Sequence, residues 1–164
     1  MRSIVKLLQI IGAAILAACC GGTPTGPTTG PTTGQPTAAV QITSNPPTIL
    51  SAVCPASHCG PLVGQLEIEA SLTIRETGGV AVTATRLGLT IRRRSDNAAI
   101  AANEVLANTA PLRIGANGST AVPIAMHFDA SAAEANMKVV VVFEGSDANG
   151  RPVTFSTEVE IRAS

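Results

Sequence analysis

The chain has 164 residues, with 11 basic and 11 acidic side chains and a formal net charge of zero. Such a balance leaves no electrostatic footprint for nucleic acid or for an acidic substrate. Three phenylalanines are its only aromatic residues, too few for the stacking platforms that hold bases or sugar rings, and the length suits one domain with one core.

At the N-terminus, Arg2 and Lys6 supply positive charge and residues 7–18 are apolar apart from Gln9. This is the layout of a secretory signal. The apolar run is 12 residues from Leu7, short of the roughly 20 needed to span a bilayer. It closes on Leu16-Ala17-Ala18-Cys19, which resembles the lipobox of bacterial lipoproteins. The resemblance implies a signal peptide over residues 1–18, cleavage before Cys19, a diacylglycerol thioether on the Cys19 sulfur and an acyl group on its new amino terminus. One acyl chain binds a membrane marginally, at about 0.8 kcal/mol per buried CH₂, whereas two or three hold stably. A lipid-anchored protein of the bacterial cell envelope is therefore expected. Cys20, rather than Asp, follows the lipidated residue, which by analogy with sorting rules permits delivery to the outer membrane, on its periplasmic or surface face. Cys20 itself stays open between a second acylation site, a thiol and a bystander. The competing expectation is a plainly secreted protein with incidental Cys19 and Cys20. Cleavage removes Arg2 and Lys6, leaving nine basic and eleven acidic side chains and a net charge of −2.

Residues 21–37 read GGTPTGPTTGPTTGQPT, built from Gly, Pro, Thr and one Gln. Nothing there can be buried, so residues 19–38 are expected to form a disordered linker after the lipidated Cys. Proline favours extended polyproline II and glycine loosens it. Fully extended, the stretch would reach roughly 50 Å, and as a coil roughly 20–25 Å.

Residues 39–164 are dominated by period-2 alternation. A first strand is predicted at Val40–Thr43. Leu66, Ile68, Ala70, Leu72 and Ile74 share one face of the next, with Glu67, Glu69, Ser71, Thr73 and Arg75 on the other. Gly78-Gly79 supplies a turn, and a strand runs from about Val80 to Arg93. Its apolar phase moves from Val80, Val82 and Ala84 to Leu87, Leu89 and Ile91, which predicts a β-bulge near Thr85–Arg86. Residues 100–106 are brief and alanine-rich; a short edge strand is preferred over helix because the neighbours are strands. After the Gly115–Gly118 turn, Thr120, Val122, Ile124, Met126 and Phe128 line one face of another strand. Pro123 in its middle places one side of that strand at an edge or a bulge. An alanine-rich connection at residues 129–136 leads to Met137–Phe143, a strand covered on both sides or central in a sheet. Asp147-Ala148-Asn149-Gly150 makes a hairpin turn into the last strand, with Val153, Phe155, Thr157, Val159 and Ile161 inward.

About seven strands with intervening turns and no long helix predict a single all-β, antiparallel β-sandwich over residues 39–164. The pair Lys138–Phe143 and Val153–Ile161, joined by Asp147-Ala148-Asn149-Gly150, resembles the late hairpin of immunoglobulin-like and fibronectin-III-like domains of bacterial surface lipoproteins. Antibody-type hallmarks do not accompany it: there is no Trp, no Tyr and no cysteine pair placed to bridge two sheets.

Cys54 and Cys59 enclose Pro55-Ala56-Ser57-His58. In an oxidising, exported setting a disulfide pinning the loop between the first two strands is expected. Metal binding through Cys54, His58 and Cys59 needs thiolates and a fourth ligand, and no second cluster of ligands stands out. His127 alternates outward and reads as a surface histidine. No nucleophile motif or phosphate-cradling glycine loop is present, so no catalytic residue, metal or cofactor is expected. Asp147-Ala148-Asn149-Gly150 matches half a calcium loop, but Arg151-Pro152 follows where further ligands are needed. Arg92-Arg93-Arg94, the only basic run, serves either to blunt an edge or to contact phosphate or lipid headgroups. Asn117-Gly118-Ser119 reads as a turn.

The functional expectation is a non-enzymatic, lipid-anchored envelope module acting by binding or scaffolding, with the membrane reached through Cys19 and its protein or envelope partner not specified by the sequence. A structural or assembly accessory of the outer membrane is the alternative. An enzyme whose site assembles from distant residues ranks third.

Overall fold

The structure, a computed structural model, describes residues 35–107 and 109–163, and their side chains except those of Ala56 and His58. The predicted signal segment, Cys19, Cys20 and most of the Thr/Pro/Gly-rich stretch lie outside the described residues. In chain order the elements are β1 (Val40–Asn45), β2 (Thr48–Val53), a single α-helical turn α1 (Ala56–Cys59), a 3₁₀ turn (Gly60–Leu62), β3 (Leu66–Glu76), β4 (Val82–Arg93), β5 (Ala99–Glu104), β6 (Leu112–Ile114), β7 (Ser119–Phe128), a second 3₁₀ turn (Ala130–Ala132), β8 (Asn136–Asp147) and β9 (Pro152–Ala163).

The fold is all-β, as expected, but the strands form one continuous mixed sheet. Its order is β1-β3-β2-β9-β8-β4-β5, with β6 on β4 and β7 on β3. Nine strands are present among the described residues, not seven. The two additions are β2, between Pro47 and Cys54, and the three-residue β6. Nor is the pairing wholly antiparallel, because β2 runs parallel to β9 from Thr48↔Glu160 to Ser51↔Ala163. The physical cause lies at Pro46-Pro47. Ahead of them β1 pairs with the late half of β3. Beyond them β2 pairs with the start of β3 and reaches across to β9.

Alternation places the core. Ile68, Leu72 and Ile74 of β3 and Val122, Ile124, Met126 and Phe128 of β7 are buried. They share one cluster with Leu87, Leu89 and Ile91 of β4, Met137, Val139, Val141 and Phe143 of β8, and Val159 and Ile161 of β9. Most strands bury one face, and the buried apolar residues of β3, β4, β7, β8 and β9 belong to one core cluster. β8 is central, between β4 and β9, and its valines alternate between buried and half-buried. The bulge falls at the predicted place: the β4–β8 register shifts between Ala84 and Arg86. β5 pairs only with β4 and β7 only with β3 among the described residues, so Pro123 sits on an edge strand as expected.

Two buried carboxylates close turns. The Glu76 side chain accepts backbone N–H groups from Ala39 (3.2 Å), Gly78 (2.6 Å), Gly79 (3.0 Å) and Asn117 (2.8 Å). Burial raises its pKa, but the backbone donors, Asn117, Ala39 and Gly78 foremost, outweigh burial and hold it below the ordinary glutamate value. Asp147 accepts from the N–H groups of Arg151 (2.9 Å) and Asn149 (2.8 Å). The Arg151 bond is the foremost cause of its lowered pKa. Residues just before β1 are also engaged: Ala38 packs against the core, and Arg151 donates to the Pro36 carbonyl at 3.3 Å.

Candidate functional site

Cys54 lies just past β2 and Cys59 ends α1. The Cys54 N–H donates to the Gln65 carbonyl at 2.8 Å, and the Cys54 carbonyl accepts from Gly64 at 3.5 Å. Both ends of the intervening loop are thereby tied to one point. Within it, the Cys59 N–H donates to the Pro55 carbonyl at 3.2 Å, and this helical turn brings the two cysteine Cα atoms to 5.9 Å. Cys54 and Cys59 are joined as a disulfide, the pairing the sequence suggests, and both are buried.

Under this loop runs the start of β3. Glu67 stands directly opposite His127 in the β3–β7 ladder, one step from the inward-pointing pair Ile68↔Met126. The two polar side chains therefore share the outer face. Glu67 Oε1 lies 3.0 Å from His127 Nε2. Glu67 Oε2 lies 3.5 Å from Cys54 Sγ and 3.9 Å from Cys59 Sγ. The ligand-type atoms of Cys54, Cys59, Glu67 and His127 all fall within 4.8 Å of one another. The outward face of a strand pair at a sheet edge would ordinarily be open to water. Here Glu67 and His127 keep only 12% and 28% of their side-chain exposure.

The structure thus revises two expectations. His127 does alternate outward, yet it is paired with Glu67 beside the disulfide loop rather than standing free on a surface. The metal-type ligands that the Cys54, His58 and Cys59 grouping lacked come from other strands: Glu67 and His127 join the two sulfurs to make a group of four. His58 falls among the side chains not described. The outward phase of both Glu67 and His127 was legible in the alternation; the register that sets them opposite each other was not. Two sulfurs, an imidazole and a carboxylate form a zinc-type donor set when the sulfurs are thiolates. Joined to each other, the sulfurs are not ligands.

Beside the cluster is an open groove of about 400 Å³ lined by Leu50, Ala52, Val53, Pro55, Glu67 and Glu69. Leu50 (59% exposed), Val53 (64%) and Val63 (52%) are the large hydrophobic residues left in solvent among the described residues. Leu50 and Val53 belong to β2, and Val63 follows the 3₁₀ turn beyond the disulfide loop.

The other sequence candidates are occupied structurally. Arg93 makes a forked contact with Asp96, at 3.2 and 2.8 Å, and reaches Glu134 at 3.7 Å. Arg92 donates to the Asn97 carbonyl at 2.8 Å. The arginine run does not blunt an edge, because β4 is flanked by β8 and β5 at Arg92. The Asp147 carboxylate is engaged by its own turn, and Asn117 occupies a turn with φ +55°. Phe128 and Phe143 are buried and Phe155 packs against the core.

No family model matches this chain, and no curated protein matches it. Several solved structures are similar, two of them as follows. One is a structural-genomics target designated SoR45, 8% identical, with a TM-score of 0.53 over 77% of this chain and 86% of that one. The other is a Bordetella pertussis protein provisionally named ApaA, 10% identical, with a TM-score of 0.52 over 78% of this chain and 94% of that one. At such identities the likeness is one of fold alone.

Proposed function

We propose that this chain is a lipid-anchored module of the bacterial cell envelope that binds a protein partner through the face formed by β2 and the disulfide loop, without catalysis. The observation that carries the binding role is that Leu50 and Val53, both exposed by more than half, line the groove beside the disulfide loop. Apolar side chains gathered outside a core mark interaction surfaces, and a loop held by a disulfide and two backbone bonds presents them at little entropic cost. The lipobox at Leu16–Cys19 and the Thr/Pro/Gly tether support the anchor and a stand-off from the membrane. We read the domain as an immunoglobulin-like β-sandwich. That reading is supported by two sheet halves sharing one core, by the β8–β9 hairpin and by an early strand that leaves one half to join the other.

The test combines fractionation with cross-linking in intact envelopes. Cys19→Ser is expected to leave the membrane fraction and to escape normal processing; unchanged retention overturns the anchor. Leu50→Asp with Val53→Asp is expected to leave folding and anchoring intact and abolish a specific cross-link formed by the parent chain. A cross-link pattern indifferent to these substitutions, or no cross-link at all, overturns the binding face.

A further inference from the structure

We infer that Cys54, Cys59, Glu67 and His127 form a redox-gated Zn²⁺ site, of which the Cys54–Cys59 disulfide is the closed, oxidised state. This goes beyond the binding-module reading and does not depend on the anchor or on the apolar face.

Three chain segments converge on the site: the loop from Cys54 to Cys59, β3 through Glu67, and β7 through His127. Their donor atoms lie within 4.8 Å of one another. Tetrahedral zinc, with bonds of about 2.3 Å to sulfur and about 2.0–2.2 Å to nitrogen or oxygen, needs donors roughly 3.3–3.8 Å apart. Glu67 Oε2 already stands 3.5 and 3.9 Å from the two sulfurs. The other oxygen, Oε1, faces His127 Nε2 at 3.0 Å, so the carboxylate stands between the sulfurs and the imidazole, and a small rotation presents one oxygen as the single donor that a four-coordinate ion takes. The sulfurs separate to about 3.8 Å once their mutual bond is broken.

The donor chemistry selects the metal. Two thiolates and an imidazole are too soft for Ca²⁺ or Mg²⁺, which take oxygen ligands. A carboxylate as fourth donor suits Zn²⁺ better than Cu⁺, which prefers sulfur. His127 presents Nε2 to the cluster; with its proton on Nδ1, the neutral ring offers the Nε2 lone pair to the metal. Glu67 belongs to both the cluster and the groove wall, so the ion has a route in.

The redox step is a thiol–disulfide exchange. A dithiol reductant attacks the Cys54–Cys59 bond; it becomes a disulfide, giving up two electrons and two protons, and Cys54 and Cys59 become thiols. Zn²⁺ then replaces the two thiol protons, which pass to solvent, and two Zn–S bonds form. A disulfide oxidant reverses the sequence, taking the two electrons as the ion leaves.

The test uses the full chain in detergent, carrying Cys19→Ser and Cys20→Ser so that those sulfurs cannot contribute, and reduced with a phosphine. Co²⁺ is the spectroscopic probe and Zn²⁺ the competitor. One equivalent of Co²⁺ should bind with thiolate charge-transfer bands and the intense visible bands of tetrahedral coordination, and Zn²⁺ should displace it. The oxidised chain should bind none. Glu67→Gln and His127→Ala should each weaken binding by roughly tenfold or more, with the strand signature in circular dichroism unchanged. His127→Cys should retain binding and increase the charge-transfer intensity. The inference is overturned if the reduced chain fails to bind one equivalent, loses its strand signature on reduction, or binds with the same strength in both Glu67→Gln and His127→Ala.

Discussion

Glu76 Oε2 accepts the backbone N–H of Asn117 at 2.8 Å across a sequence separation of 41 residues. The same carboxylate takes the N–H groups of Gly78 and Gly79 in the β3–β4 turn and of Ala39 ahead of β1. One buried side chain thus fixes three connections at this end of the molecule. Gly79 can close around it because its φ is +79°, a conformation that costs glycine little.

Glu76→Ala removes the acceptor of four N–H groups. A buried donor left without a partner costs about 1–3 kcal/mol, so a loss of at least about 3 kcal/mol is expected, read as a lower urea midpoint. Glu76→Gln keeps one carbonyl oxygen and should fall between the two. A midpoint for Glu76→Ala equal to that of the parent would remove the carboxylate from its structural role.

Acidification should destabilise the domain. Glu76 and Asp147 both have folded pKa values below the ordinary ones, which are about 4.3 and 3.9 when unfolded. As pH falls through this range the unfolded chain takes up protons first, so the stability these groups contribute is full above it and is lost toward their folded pKa values. Thermal midpoints should be flat near neutrality and drop below about pH 4. The drop should be shallower in Glu76→Gln and Asp147→Asn; an unchanged acid slope in both variants would refute the assignment.

Cys54→Ser with Cys59→Ser should cost about 2 kcal/mol, the chain-entropy value for a loop this short. Phosphine reduction of the parent should give the same decrement in urea. A much larger loss would mean that the loop is needed for the rest of the sheet to form.

Gly145 lies where β8 passes the β4 bulge, and a Cβ there would collide with the Thr83 carbonyl oxygen. Gly145→Ala is expected to destabilise by about 1–3 kcal/mol, the usual range for overpacking, with chemical-shift changes concentrated at Thr83–Arg86. A neutral substitution would show that the bulge widens without cost.

Pro123 interrupts the open edge of β7, where its missing N–H faces away from β3. Pro123→Thr should leave the urea midpoint nearly unchanged and increase self-association in light scattering, because it restores a free donor on the edge. A chain that stays monomeric at high concentration would argue that other residues protect this edge.

Much of the sheet was legible because alternation is a local signal. The inward sets on β3, β7 and β9 follow directly from it, as does the bulge where the phase slips at Thr85–Arg86. Continued for one more step, the β3 phase also places Glu76 inward. β2 was illegible for a specific reason: Ser51 is buried while Leu50 and Val53 are exposed, so its polarity pattern is inverted. The three residues of β6 are too few to show a period. The Glu67–His127 pair escaped because phase tells which face a residue takes, whereas the strand that comes to lie beside it is decided by long-range pairing. Arg92-Arg93-Arg94 misled for a similar reason, since three adjacent charges look like an edge until the two strands flanking β4 are known.

The parallel seam between β2 and β9 has a mechanical consequence. Thr48 pairs with Glu160 and Ser51 with Ala163, so a pull on the chain ahead of β2 and an opposing pull beyond β9 act along one common axis in opposite senses. The bonds of the seam then carry the load together, in shear, instead of opening one after another like a zipper. A domain tugged from its two ends would resist at this seam, while a tug that peels the β8–β9 hairpin would meet its bonds singly.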